Sequence, residues 1–175
     1  MRWFLVLVLV LVALGSVTVA APRRATLDIA EYTPLDGWKT TTGGDGVAFA
    51  KTSGTDSCLI SLQKGRDAVA ADFAAELEPT WRAALAALAA ETVALPATTF
   101  TGTTPHDVAM ISTAAATTRT GKPALVFVAI LDAGAKVVPV IAVASSAETL
   151  KALCAPSIDA LVNSITVKAT PRKAK

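Results

Sequence analysis

The chain changes hydrophobic period three times, and each change marks a different kind of element. Residues 4–14 form an unbroken apolar run behind Arg2, followed by the small residues Thr18, Val19 and Ala20. That is the pattern of an export signal cut after Ala20, since a cut one residue later would leave Pro22 directly downstream. Residues 57–63 then alternate: Cys58, Ile60 and Leu62 fall on one side, Ser57, Leu59 and Ser61 on the other. A period of two predicts a strand with one buried face. Further on, Val69, Phe73, Leu77, Trp81 and Leu85 recur every fourth residue and Leu88 continues the row. This stripe predicts a helix packed through one side, capped by Asp67, with Phe73 and Trp81 as its core aromatics. Pro79 inside it predicts a bend or two abutting segments, because an interior proline costs a helix about 3 kcal/mol.

The same reading places an entry strand at 26–30, a turn at 34–37, and a hairpin of strands 38–42 and 47–51 around Gly43-Gly44-Asp45-Gly46. Strands follow at 98–102, 107–115, 123–131 and 137–144. Ser145 or Ser146 caps a final helix carrying Glu148 in its first turn, with Leu150, Leu153 and Cys154 on one side. Pro156 is expected to divide that helix before Ile158, Leu161 and Ile165 resume the inward row. Strands, helix, strands, helix is the order of an α+β fold in which helices cover a central antiparallel sheet, an α/β/α sandwich.

Of the 175 residues, removal of 1–20 leaves enough chain for one core, expected over 21–167, with a basic tail at 168–175. An uncleaved anchor is the alternative at the N-terminus, and a membrane association is expected only in that case. Later in the chain, the apolar run 125–131 is too short for a span of roughly 20 residues. The formal charge of +2 implies neither an acidic nor a basic face. Lys168, Arg172, Lys173 and Lys175 read as a solvated terminus and not as a nucleic-acid contact, because they lack interleaved aromatics. Cys58 and Cys154 both belong to the exported part. A bridge closing a loop of about 97 residues would remove about 5 kcal/mol of unfolded-state entropy, and two buried thiols are the alternative.

The run Tyr32-Thr33-Pro34-Leu35-Asp36-Gly37-Trp38, the strand Cys58-Leu59-Ile60-Ser61-Leu62, and Asp72-Phe73 with Trp81 beyond them share a layout. That layout resembles bacterial exported domains of the PsbP-like superfamily, which includes the extrinsic photosystem II subunit and Ran-binding nuclear factors of the Mog type. The resemblance spans 32–165. It implies an antiparallel sheet between helices and binding or assembly work more often than catalysis, and it carries over no active site.

Candidate chemistry is sparse. His106 is the sole histidine, so a multi-histidine metal site is excluded. No Gly-x-Ser-x-Gly elbow occurs, and Gly43-Gly44-Asp45-Gly46 lacks the Lys-Ser/Thr of a phosphate-cradling loop. Asp67, Asp72, Glu76 and Glu78 read as a solvated helix face, although Asp72 and Glu76 lie one turn apart. Trp38, beside the 34–37 turn, is either a surface aromatic for a partner or a plug at the end of the sheet. The expectation is an exported module, periplasmic or secreted, that contacts an envelope or extracellular protein, uses no cofactor and catalyses nothing. The competing expectation is a small secreted hydrolase using Cys58, or an acidic pair, with His106.

Overall fold

A computed structural model describes residues 23–70 and 72–170; the expected signal at 1–20 and the last five residues lie outside that part. Two short strands come first, β1 (Ala25–Leu27) and β2 (Ala30–Tyr32). Strands β3 (Lys39–Gly43), β4 (Gly46–Ser53) and β5 (Asp56–Gln63) follow as consecutive hairpins, then the short β6 (Arg66–Asp67). A 3-10 turn over Ala74–Glu76 leads into α1 (Leu77–Ala87). Four more strands are β7 (Phe100–Thr103), β8 (Ala109–Arg119), β9 (Lys122–Asp132) and β10 (Lys136–Ala144). The closing helical stretch runs from α2 (Ala147–Thr149) through a π turn (Leu150–Cys154) into α3 (Ala155–Ser164), and β11 (Thr166–Val167) ends the chain of elements.

The main sheet is antiparallel throughout, in the order β3-β4-β5-β10-β9-β8-β7, with β6 paired to the start of β10; β1, β2 and β11 form a second, three-stranded sheet. Each face of the main sheet has its own core, because the strands alternate. On one face Phe49, Ile60, Leu62 and Val140 pack against Ile158 and Leu161 of α3. On the other Val126, Val128, Ile130 and Ile141 pack against Leu77, Trp81 and Leu85 of α1. The molecule is therefore α+β, with helices on both faces of an antiparallel sheet. The two covers are offset. The α1 face is filled over β8, β9 and β10, whereas α2, α3 and the small sheet fill the other face chiefly over β4, β5 and β10.

Several local expectations fail for identifiable reasons. The entry strand is a tight hairpin, because Asp28 takes a left-handed φ of 53° and turns the chain back, pairing Leu27 with Ala30. Asp67 caps no helix: it pairs with Lys136 in β6, and the next residue, Ala68, donates its N–H to the Ala135 carbonyl at 2.9 Å. Val69 is accordingly 74% exposed, while Phe73, Leu77, Trp81 and Leu85 keep to the inward row. Pro79 does not kink α1, since it falls in the first turn, where an N–H has no helical partner to lose. Pro156 does not divide the last helix either. Ala155 donates to the Leu150 carbonyl across the π turn, and Pro156 falls in the first turn of α3, where its missing N–H does no harm. Strand β8 runs on to Arg119, through residues expected to be loop. The main chain also stays paired beyond 167: Thr170 donates to the Ala133 carbonyl at 2.8 Å, and Ala135 donates to that of Thr170 at 2.7 Å. Gly134, at φ 79°, lies so close under Thr170 that a side-chain carbon there would collide with its carbonyl.

Candidate functional site

Cys58 faces the α3 side of β5 and is bonded to Cys154 in the π turn, with Cα atoms 5.8 Å apart and both residues buried. A bonded sulfur cannot be a thiolate nucleophile. His106 is exposed on the turn between β7 and β8, a turn organised by Thr104, whose Oγ1 accepts from the N–H groups of His106 and Val108 at 3.3 Å each. From β5 to β8 is three strand spacings, roughly 14 Å, so Cys58 and His106 do not form a pair.

The acidic residues of the first helix divide in a way the sequence does not show. Asp72 is exposed, but Glu76 is fully buried and turned inward. One carboxylate oxygen accepts from Arg66 Nη1 at 2.8 Å and the other from the Ala70 N–H. Arg66 Nη2 also donates to Thr80 Oγ1 at 2.5 Å. Every oxygen of Glu76 is engaged in holding the 66–70 segment to α1, and the Asp72/Glu76 pair expected on a solvated face is not one unit. Among the described residues no group of three or more His, Cys, Asp or Glu could hold a metal ion.

Trp38 is half-buried and packs against the α3-side core, with Lys51 Nζ 5.7 Å from its ring centroid. It thus closes one end of that core. Burial also pushes the Tyr32 phenol above its ordinary range, in the same core, where the ring meets Phe49 edge-on at 6.1 Å.

What remains open are the two quarters of the sheet that the offset helices leave. The first lies on the α1 face, over β4 and β5. The side chains there are small, Ala50 and Ser57 among them, and between Leu59, Val143 and the β8–β9 hairpin they leave a cavity of about 290 Å³. Arg119 and Lys122 stand at its rim, directly opposite one another in the ladder. The second open quarter lies on the α3 face at the other edge. Phe100 of β7 is 64% exposed there, opposite Ser112, and Ala114 and Ala116 of β8 are exposed beside it, opposite Phe127 and Leu125. A further hollow lies between α1 and residues 92–95, but its charges, Arg82 and Glu78, are spent on each other at 2.6 Å.

No family model and no curated protein matches the chain. Among solved structures it is similar to the crystal structure of protein PA94 from Pseudomonas aeruginosa, a protein of unknown function. The match has 15% identity and a TM-score of 0.42, and covers 87% of this chain and 98% of that one. A likeness at this level transfers no role to the present chain.

Proposed function

We propose that the protein is an exported binding module, periplasmic or secreted, that works through contacts with an envelope or extracellular protein and catalyses no reaction. The observation that carries this reading is Phe100: a large apolar side chain, 64% exposed, on an edge strand whose four residues carry no charge. Edge strands are ordinarily guarded by charge, proline or a bulge, and exposed apolar patches mark contact surfaces. The buried Cys58–Cys154 bond supports export, because such bonds persist in oxidising compartments. Among the described residues no helix is long and apolar enough to cross a membrane. The finer fold reading, membership of the PsbP-like superfamily, rests on the sequence motifs at 32–38, 58–62 and 72–81, and an antiparallel sheet between helices is compatible with it.

A photo-crosslinking residue at Phe100, compared with one at the exposed Asp159 on α3, tests the contact surface in cells. The expected result is a discrete adduct from position 100, of one mass and identifiable by peptide sequencing. Adducts of equal yield from both positions, or none from position 100, would overturn the reading.

A further inference from the structure

The rim of the α1-face cavity carries an unusual charge arrangement. Arg119 and Lys122 are the last register pair of the β8–β9 ladder, so their side chains leave the same face of the sheet side by side. Like charges directly opposite in an antiparallel pair are destabilising. Neither side chain forms an ion pair with any described residue, and no carboxylate lines the cavity. Arg119 is also fixed in place: its Nε donates to the Leu88 carbonyl at 2.8 Å, which orients the guanidinium and leaves its terminal nitrogens available. The two-residue turn that brings the cations together holds Thr120 at φ 49° and Gly121 at φ 75°. A β-branched residue in the left-handed region is strained, and strain of this kind collects at binding sites. Below the cations Ala50, Leu59, Ala124 and Val143 give an apolar strip, bordered by Lys51, Thr52, Ser57 and Ser145.

We propose that this cavity binds a monomeric amphiphilic anion. Its carboxylate bridges Arg119 and Lys122, and its short acyl or aryl body lies on Leu59 and Val143. The anion neutralises a pair of cations that the fold otherwise sets against each other, and its tail covers the stretch of sheet that α1 leaves open. An opening of about 290 Å³ suits a short-chain carboxylate, for which octanoate serves as the probe. This goes beyond the protein-contact reading, which concerns the opposite face and edge of the sheet.

Calorimetric titration of the protein with octanoate, octanol and acetate, together with amide shift mapping, tests the site. Octanoate should bind, with shifts centred on Leu59, Val143 and Arg119, and octanol and acetate should each bind at least about tenfold more weakly, since the first lacks the charge and the second the tail. Lys122→Gln should weaken octanoate about tenfold, and weaken it less as salt rises. Ala50→Leu, which fills the floor without touching a charge, should abolish binding, with cooperative melting at or above the parent's temperature confirming the fold of Lys122→Gln and cooperative melting confirming that of Ala50→Leu. Octanol binding as tightly as octanoate, or Lys122→Gln binding like the parent, would overturn the proposal. So would shifts centred elsewhere, or protein that pellets with phosphatidylglycerol vesicles while ignoring octanoate in solution.

Discussion

The two faces of the sheet are fastened by different chemistry. On the α3 face the helix is tied to β5 by the Cys58–Cys154 bond, which spans 96 residues of sequence. On the α1 face the fastening is local and polar: Arg66 and the Ala70 N–H hold Glu76 only ten and six positions away, while Trp81 Nε1 donates to the Val93 carbonyl at 3.0 Å on the far side of the helix. The covalent tie acts by restricting the unfolded chain, so its worth grows with the length of the loop it closes. The polar tie acts only in the folded state. The α1 face is therefore the one whose stability depends on packing around Trp81, and the α3 face the one whose stability depends on redox state.

Reduction tests the difference first. With the bond opened, the domain should lose about 4 to 5 kcal/mol, a fall in melting temperature of roughly 10 to 15 °C, measured by calorimetry with and without reductant. A much smaller fall would mean that the apolar contacts of Ile158 and Leu161 hold the α3 face unaided. Trp81→Ala should cost about 3 to 5 kcal/mol in denaturant melts, and Glu78→Ala, which removes only the exposed pair with Arg82, less than about 1. Equal losses would show that the α1 row is not the face that matters. Arg66→Gln should cost about 2 kcal/mol: it strips a charge-assisted hydrogen bond from a fully buried carboxylate, but Arg66 is itself a third exposed and water softens the loss.

The smallest expected effect sharpens the contrast at alkaline pH. The Tyr32 phenol lies in the α3-side core and titrates above its ordinary range because burial disfavours the charged form. The unfolded chain therefore ionises first. The contribution is complete below about pH 10 and is lost as pH rises through the higher folded value. Tyr32→Phe should flatten that alkaline fall in stability, read from melts at a series of pH values; an unchanged slope would place its cause elsewhere.

How far each face was legible follows from where its determinants sit in sequence. Strand β5 was readable because Cys58, Ile60 and Leu62 alternate without interruption, and the inward row of α1 because Phe73 to Leu85 keeps its spacing. The same row misled upstream: Val69 continues the period by coincidence, while hydrogen bonds to residues 135–137, nearly seventy positions away, hold 66–68 extended. Glu76 was opaque for a similar reason. Nothing local separates it from Asp72 and Glu78, and the arginine that draws it inward belongs to a strand whose place is set by β10. The prolines at 79 and 156 were recognised, but whether a proline breaks a helix depends on which turn it occupies. Neither open quarter of the sheet could be read in advance, since each arises from the offset between two helices on opposite faces. Arg119 and Lys122 fall between the strands expected at 107–115 and 123–131, and nothing in that spacing marks them as the rim of a cavity.

The covalent tie is the center of this account, and counting thiols on the protein isolated from its own cells, unfolded in denaturant without reductant, measures it directly. Alkylation followed by intact mass should find no modified cysteine, and both cysteines modified once reductant is added; the same spectrum should begin at Ala21. Two alkylated cysteines before reduction would contradict the bond, and with it the assignment of the α3 face to redox control.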